Sequence, residues 1–486
     1  MKEDRSELTE LVYESLSLDK NDQKLLRNDE ITKKTNNNWF LYISAIVANL
    51  SVFVVSSGFS WTSPALQMLT SNDTSVNPLG RPVTPGEESW IASLYSLGAA
   101  IGPLIGGKLA DSLGRKTTLT IMAVPKLICL SVICFAGDVK IYYVCRFIMG
   151  LVLGTVFAVI PLYLNEIADV HNRGTVLAMM GFFLNGGSLY CLLLGPFVSV
   201  KTLTFLCAVP LLIFVVSFSL FMVETPSFLI TKGNNRGAVE ALQKLRNTID
   251  VRREFEFIYK SLEEQKIDDL RLMDLVRDVY LRRVLFVNVG LVFALQFSGI
   301  NPILAFLETI FRESGSKMSP YISTNLAGGI QVFTTIITIK ITEKLQRRKQ
   351  LLLSIFSVFL CHFINTFYFY FKDGDRDELF WLPLVCLMLF MFTSNLGLST
   401  LPFTIMSETF PHNVKAAGAS ITICSCFGFS FIATLIFRIL LDEYHLGACF
   451  LLLSISMLIM VVFCYILLPE TKGKSVNEIK ESVLTK

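Results

Sequence analysis

Charged side chains are scarce in this chain. Asp, Glu, Lys and Arg account for 17% of its 486 residues, whereas a soluble domain carries about a quarter. The formal net charge of +3 is small, and a chain without a strong basic excess is not expected to bind nucleic acid. Only four histidines occur, without metal-ligand spacing. We therefore predict no metal site, no cofactor and no enzymatic activity.

A disulfide framework and a cleavable signal peptide are also missing. The eleven cysteines all fall within apolar stretches, where a free thiol packs like a small hydrophobic side chain. The first residues are polar and charged, and they do not carry the apolar core of a signal peptide. This composition predicts a disordered cytoplasmic tail over residues 1–38.

Long apolar runs dominate the rest of the sequence. Hydrophobic residues make up 52% of the chain, and phenylalanine alone occurs 39 times. A helix needs about 20 mostly apolar residues to span a bilayer, and about twelve segments reach that length. They cover residues 40–61, 89–109, 117–136, 141–164, 174–195, 203–222, 282–307, 320–341, 350–371, 380–405, 414–437 and 446–468. We therefore predict an all-α integral membrane protein with twelve transmembrane helices.

Basic residues predict how the chain is oriented. Lys and Arg gather in every second short loop, and these loops contain Arg115, Lys116, Arg173, Lys344, Arg347, Arg348, Lys349 and Lys415. Because cytoplasmic loops carry an excess of Lys and Arg, we predict a multi-pass plasma-membrane protein with both termini in the cytoplasm. A sequon at Asn72 falls in the first external loop of this topology, which predicts a glycosylation site there.

Charged residues at the predicted helix ends recur in the same order in both parts of the chain. The first set is Asp111, Arg115, Glu166, Arg173 and Glu224, and the second set is Glu343, Arg347, Glu408, Lys415 and Glu470. Matching elements in a fixed order indicate an internal repeat. We predict two pseudo-symmetric six-helix halves, residues 39–222 and 282–468, followed by a cytoplasmic tail at 469–486.

The segment between the predicted halves, residues 223–281, is polar. Within it Ala238, Leu242 and Leu245 recur at helical spacing, which favours short amphipathic helices against the cytoplasmic face of the protein. The alternative is a flexible linker, which does not account for the periodicity.

The repeated charges have two interpretations. Acids and bases at the ends of neighbouring helices attract each other, and a low dielectric near the membrane strengthens the attraction. In this interpretation the ten residues form a cytoplasmic latch. The latch holds the two halves together when the binding site is open to the outside, and it breaks when the binding site opens to the cytoplasm. Alternatively, the charges only set the topology. That alternative explains the bases but not the acids at matching positions.

Several motifs resemble the sugar porter branch of the major facilitator superfamily. The resemblance covers nearly the whole chain after residue 40. Its motifs are "GRK" at Gly114, "RFIMGLVLG" at Arg146, "PLYLNEIADVHNRG" at Pro161, "QFSGIN" at Gln296 and "PETKGKS" at Pro469. "GFSWTSPAL", "VETPSFL" and the lysine at 415 are most similar to insect facilitated trehalose transporters and related facilitative glucose transporters. The resemblance implies the major facilitator fold and the transport of a sugar.

The seventh predicted span contains the best candidates for a sugar site. Gln296, Ser298 and Asn301 place polar groups there, and Gly299 and Pro302 interrupt the helix. Amides both donate and accept hydrogen bonds, as a ring of sugar hydroxyls requires. The resemblance implies that this Gln and this Asn bind sugar hydroxyls. The alternative is that they bond to neighbouring helices.

Other spans add Gln331, Asn395 and Phe403 as candidate sugar ligands. The resemblance implies a Trp at the position of Phe403, where an aromatic ring is kept. Two amides usual in the family are replaced here by Gly181 and Leu295. These departures leave open which sugar the protein carries.

The resemblance favours facilitative uniport of a hexose or a trehalose-like disaccharide, by alternating access and by a monomer in the lipid bilayer. The first span, Trp39–Trp61, has no acidic residue, whereas proton-coupled relatives carry an Asp there. Glu308 lies near the outer end of the seventh span, and Arg312 is expected to keep it ionised. Two alternatives are a proton-coupled sugar symporter and a non-transporting sugar sensor on the same fold.

Overall fold

The computed structural model describes residues 39–73, 75–169, 172–267, 277–313, 320–371, 379, 381–411, 414–472, 478 and 480. The predicted N-terminal tail, residues 1–38, lies outside the described residues, as does most of the predicted C-terminal tail. Thr74 of the sequon and the side chains of Glu343 and Lys415 lie outside them as well.

The first half of the described chain is entirely helical. Its elements are α1 (Trp39–Ser60), α2 (Thr62–Leu69), α3 (Pro85–Leu113), α4 (Arg115–Cys134), α5 (Val139–Ile167), α6 (Arg173–Leu194), a 3-10 turn (Gly195–Phe197) and α7 (Val200–Phe221). Thr84 and Glu87 form a capping box at the start of α3, and Ser199 caps α7. These side chains bind backbone N–H groups that have no acceptor within the helix.

Three short helices connect the two halves. They are α8 (Pro226–Thr231), α9 (Asn235–Arg246) and α10 (Arg252–Ile267). Ala238, Leu242 and Phe255 are buried in a small core of their own. Nη1 of Arg246 donates a hydrogen bond to the carbonyl oxygen of Ile167 at 2.8 Å. The connecting helices are therefore attached to the end of α5.

The second half repeats the helical pattern with two interrupted helices. Its elements are α11 (Val279–Phe297), α12 (Ile300–Ala305), α13 (Leu307–Glu313), α14 (Pro320–Lys344), α15 (Arg347–Tyr370), α16 (Leu382–Leu396), α17 (Leu401–Thr409), α18 (Lys415–Glu443) and α19 (Leu446–Leu467). Gly299 separates α11 from α12 with a φ of 82°, a left-handed conformation that glycine adopts at little cost. The interruption falls where the sequence predicts it.

Among the described residues, eleven helical stretches are long and apolar enough to cross a membrane. The predicted eighth span, residues 320–341, lies in α14, which is 25 residues long. Large apolar side chains such as Phe205, Phe286 and Leu353 are exposed on these helices. Extensive exposed apolar surface marks a region that contacts lipid or another protein.

The two halves meet mainly along two helix pairs, α3 with α18 and α6 with α14. We call one end of the bundle the basic face, because Arg115, Lys116, Arg347 and Arg348 lie there at the starts of α4 and α15. The other end, where α3 begins and α18 ends, is called the opposite face.

Glycines bring α3 and α5 into close contact within the first half. A Cβ atom added at Gly98 would lie 2.1 Å from the carbonyl oxygen of Phe147, and one at Gly150 would lie 2.1 Å from that of Tyr95. Small residues let helix backbones approach closely, which stabilises helix pairs in lipid. This crossing explains Gly150 in the "RFIMGLVLG" motif.

We expect Gly98→Val to destabilise the protein, because the new side chain collides with the backbone of α5. Overpacking of this kind should lower the midpoint of thermal unfolding by roughly 5 °C or more. Gly107→Val is the matched control, since it lies in the same helix and an added Cβ there meets no atom within 4 Å. Size-exclusion chromatography after heating measures both midpoints. Equal midpoints for the two variants would contradict the close crossing.

Candidate functional site

One polar cluster lies where the interrupted helix α11–α12 meets α18. Nδ2 of Asn301 donates hydrogen bonds to Oε1 of Gln296 at 2.6 Å and to Oγ of Ser430 at 2.8 Å. Nε2 of Gln296 donates to Sγ of Cys426 at 2.9 Å. We call Gln296, Asn301 and Ser430 the first amide cluster. It brings two of the predicted sugar ligands into direct contact.

The first amide cluster reaches across to the other half of the protein. Oγ of Ser430 lies 2.9 Å from Oγ of Ser96 in α3. The break at Gly299 separates Gln296 from Asn301 and lets both amides face α18. Polar groups from both halves therefore meet at this point of the interface.

A second polar cluster joins α6 of the first half to α14 and α16 of the second. Nδ2 of Asn185 donates to Oγ1 of Thr335 at 2.7 Å and to Oδ1 of Asn395 at 3.4 Å. Nε2 of Gln331 donates to Sδ of Met391 at 3.1 Å. We call Asn185, Gln331, Thr335 and Asn395 the second amide cluster. Oε1 of Gln331 is buried without a hydrogen-bond partner among the described residues, so an acceptor is available there.

Two predicted ligands lie in neither cluster. Ser298 is fully buried, and its Oγ donates to the carbonyl oxygen of Leu295 at 2.6 Å. Its hydroxyl thus bonds to the last turn of its own helix, as serines at helix ends commonly do. Phe403 in α17 is partly buried and packs against the hydrophobic core. Among the described residues, no side-chain hydrogen bond joins Ser298 to either amide cluster, and Phe403 has no hydrogen-bonding group in its side chain.

Asn185 is a candidate ligand that the sequence prediction missed. It lies four residues after Gly181, which places it one turn along the same face of α6. A Cβ atom at Gly181 would lie 3.4 Å from Cγ2 of Thr335. Gly181 therefore faces Thr335 of α14, and the amide of Asn185 reaches the same residue from the next turn. In the sequence, a polar residue four positions after Gly181 is the signal by which Asn185 could have been found.

Charged residues at the basic face form two equivalent ion pairs. Nη2 of Arg115 lies 3.1 Å from Oε1 of Glu166, and Nη2 of Arg347 lies 3.6 Å from Oε1 of Glu408. The side chains of Arg115 and Glu166 are each 15% exposed. In this structure each pair joins helices of one half, and neither connects one half to the other.

Two further acids cap the helices that begin at the basic face. Glu224 accepts hydrogen bonds from the backbone N–H groups of Arg115 and Lys116 at 3.0 and 3.1 Å. Glu470 accepts one from the backbone N–H of Arg347 at 3.0 Å. A carboxylate is stabilised there by unpaired N–H groups and by the helix dipole. The repeated acids therefore have local structural partners in both halves.

Gly114 makes the first of these caps possible. Its φ is 101°, and an added Cβ atom would lie 2.3 Å from Oε2 of Glu224. A larger residue would need a strained backbone and would displace the carboxylate. This accounts for the glycine of the "GRK" motif.

Among the described residues, the predicted latch residues Asp111 and Arg173 and the predicted glycosylation site Asn72 lie at the surface. Oδ1 of Asp111 lies 3.6 Å from Nη1 of Arg115, and the Asp111 side chain is 77% exposed. Arg173 is exposed at the start of α6, and Asn72 is exposed in the loop between α2 and α3. Exposed ion pairs such as Asp111–Arg115 contribute little to stability.

Two buried cations hold α1 against its neighbours. Arg146 in α5 donates to the carbonyl oxygen of Gly58 and to Oγ1 of Thr62, both at 2.7 Å. Nζ of Lys126 in α4 donates to the carbonyl oxygen of Val54 at 2.9 Å. Buried cations need hydrogen-bond acceptors, and here α1 supplies backbone oxygens.

Glu308 corrects one expectation about charge. It lies in α13, beyond the apolar stretch that ends at Ala305, and its backbone N–H donates to Oγ of Ser63 at 3.4 Å. Burial raises the pKa of Glu308 to about 7, although the charge of Arg312 lowers it. Desolvation thus outweighs the charge of Arg312 in setting the pKa of this carboxyl group.

Comparison with known proteins identifies the family of this chain. The family model described as "Sugar (and other) transporter" matches residues 36–483. The facilitated trehalose transporter Tret1 of Apis mellifera ligustica is 30% identical over 447 residues, covering 90% of this chain and 87% of that protein. The facilitated trehalose transporter Tret1-2 homolog of Drosophila simulans is 29% identical over 459 residues, covering 93% and 92%.

Solved structures of the xylose transporter XylE have a similar fold. The proton:xylose symporter XylE bound to 6-bromo-6-deoxy-D-glucose matches with a TM-score of 0.75 and 19% identity, covering 92% of this chain and 99% of that chain. The inward-open conformation of XylE from E. coli matches with a TM-score of 0.76 and 17% identity, covering 91% and 99%. The predicted major facilitator fold with twelve helices is confirmed.

The relatives named above are transporters, not enzymes. The family match extends from the start of α1 to beyond α19, and it includes both amide clusters and both charged clusters. This chain is therefore a multi-pass membrane protein that belongs to the sugar transporter family.

Proposed function

We propose that this protein carries a hexose or a trehalose-like disaccharide across the plasma membrane as a downhill uniporter. The observation that carries the proposal is the pair of amide clusters at the interface of the two halves. Their donors and acceptors bond to one another, and the contacts of Ser96 with Ser430 and of Asn185 with Thr335 cross the interface. A ring of sugar hydroxyls, which also donates and accepts, can replace these bonds while it bridges both halves.

The proposed orientation places the basic face and both termini in the cytoplasm. Support comes from the Lys and Arg residues at the starts of α4 and α15, because such residues are retained on the cytoplasmic side. Asn72 lies exposed on the loop that would then face outward, where a glycan can be attached. We propose that one monomer suffices, since both clusters are built within one chain.

Radiolabelled uptake tests the proposal most directly. Purified protein in vesicles is given glucose, fructose, trehalose or a polyol, and equilibrium binding is measured on the same preparation. We expect saturable uptake that stops when the internal and external concentrations are equal. Binding without flux would instead identify a sugar sensor. If none of these solutes binds, the substrate is neither one of these sugars nor a polyol.

One observation favours proton-coupled symport as a second candidate. Burial raises the pKa of Glu308 to about 7, which is near the operating pH, where a proton-transferring group works best. The described helix α1 contains no acidic residue, and the buried cations beside it are bonded to backbone and hydroxyl groups. We therefore place uniport first.

We expect an imposed proton gradient to leave steady-state sugar accumulation at the external concentration. The reason is that the described first span offers no carboxylate that protonation could neutralise there. Uptake with and without the gradient, and with a protonophore, measures this. Accumulation above the external concentration that the protonophore abolishes would contradict uniport, and its loss in Glu308→Gln would identify the coupling group.

We expect Asn185→Ala to raise the apparent transport constant about fivefold, which corresponds to the loss of roughly one hydrogen bond. Initial uptake rates over a range of sugar concentrations measure the constant. Ser188→Ala is the matched control, because Ser188 is buried in the same helix but its Oγ bonds to Ser60 within the first half. An unchanged constant in Asn185→Ala would exclude this amide from the sugar site.

A further inference from the structure

One ion pair joins the two halves at the opposite face. Nη2 of Arg438 in α18 lies 3.0 Å from Oε2 of Glu88 in α3, and their side chains are only 10% and 11% exposed. Nη2 of Arg438 also lies 3.1 Å from Oδ1 of Asp442, one turn further along α18. The guanidinium is thus shared between an acid of the other half and an acid of its own helix.

This ion pair lies at the end of the contact between α3 and α18. Further along the same contact, the rings of Trp90 and Phe431 lie 6.4 Å apart, and Ser96 meets Ser430 at the first amide cluster. The helices cannot separate at Glu88 without changing this row of contacts. The ion pair is therefore at one end of an interface whose other end reaches the proposed sugar site.

Arg438 also contacts the interrupted helix that carries Asn301. Its guanidinium lies 5.7 Å from the ring centroid of Phe306, which follows α12 directly. Phe306 is buried and stacks on Phe437 at 6.1 Å. A cation over an aromatic face is attracted by the ring. The position of Arg438 is thereby connected to the helix that holds the first amide cluster.

We propose that Glu88, Arg438 and Asp442 form a lock that holds the opposite face closed and opens once in each transport cycle. The proposal rests on the proposed function for the statement that the halves rock during transport. Glu88 crosses the interface, and Asp442 is the partner that Arg438 keeps after the halves separate. No comparable pair between described residues of the two halves is found at the basic face.

The shared guanidinium explains why such a lock can open. A buried charge that loses its only partner is strongly destabilised. When the halves separate, Glu88 returns to water while Arg438 stays paired with Asp442 at the i,i+4 position. The positive charge of Arg312 also attracts the Glu88 carboxylate. Because this attraction would remain after Arg438 was replaced, Glu88 is the more informative residue to change.

Hydrogen exchange on the full-length protein in nanodiscs tests the lock without requiring sugar. We expect Glu88→Gln to increase amide exchange about fivefold in residues 85–96 and 431–443, with no increase at the starts of α4 and α15. Asp442→Asn should decrease exchange in the same segments, because it removes the partner available to Arg438 in the open state. A merely destabilising change would raise exchange in both variants.

Glu87→Gln is the matched control, since Glu87 precedes Glu88 and pairs with Arg81 at 2.6 Å within the first half. Equal exchange in Glu88→Gln and Glu87→Gln, or faster exchange in Asp442→Asn, would overturn the lock. If Glu88→Gln does not fold, amide exchange in the same two segments of Arg438→Gln tests the lock instead, and faster exchange there is expected. If the protein shows this exchange pattern but carries no sugar, the proposed function is contradicted and the lock is not.

Discussion

Glu166→Gln is expected to reduce sugar flux about tenfold while the amount of protein at the cell surface stays nearly unchanged. At the basic face, Arg115 pairs with Glu166 and Arg347 pairs with Glu408, each within its own half, at 3.1 and 3.6 Å. When this face closes, the ends of α4 and α15 approach. Without the Glu166 carboxylate, the positive charges of Arg115 and Arg347 approach each other with one negative charge fewer nearby. The resulting repulsion disfavours the closed form by ~1.4 kcal/mol or more.

Initial uptake rates and surface biotinylation measure the two quantities separately. Glu240→Gln is the matched control, because Glu240 pairs with Arg236 in α9 and both side chains are more than half exposed, at 57% and 70%. The same change of charge should have no measurable effect on flux there. Glu408→Gln should behave like Glu166→Gln in the second half. Normal flux in both Glu166→Gln and Glu408→Gln would show that these charges only set the topology.

Gln296→Ala and Asn301→Ala are each expected to raise the apparent transport constant about 5–10-fold, the effect of losing one hydrogen bond to a neutral hydroxyl. Asn301 donates to both Gln296 and Ser430, so the amides act as one unit. The double variant should therefore lose less than the product of the two single effects. Concentration-dependent uptake by all three variants measures the coupling.

Asn288→Ala controls for the loss of a buried amide in the same helix. Asn288 in α11 is buried, and its Nδ2 bonds to Val284 and to Thr409 within the second half. Its removal should lower the amount of folded protein and leave the transport constant unchanged. A constant that is unaltered in both Gln296→Ala and Asn301→Ala would place the sugar elsewhere.

The sequence alone predicts the spans and the repeated charges, because both depend on local chemistry. A membrane helix satisfies its backbone hydrogen bonds within one segment, so length and apolarity are enough to locate it. Glu224 and Glu470 were predicted from their matching positions as latch residues, whereas their role as caps of α4 and α15 depends on contacts across more than 100 residues of sequence. The break at Gly299 was visible because Gly299 and Pro302 lie close together there and both residue types weaken a helix.

The tertiary structure decided which of the polar residues meet. Ser298 and Asn301 are three residues apart, yet one bonds to its own helix and the other bonds to Ser430. Asn185 and Glu88 find partners in the other half of the chain. These partners depend on how each helix is rotated and how closely it approaches its neighbour, which is set by packing between segments far apart in sequence. The pKa of Glu308 likewise follows from burial by the surrounding helices, an effect that the neighbouring Arg312 does not reveal.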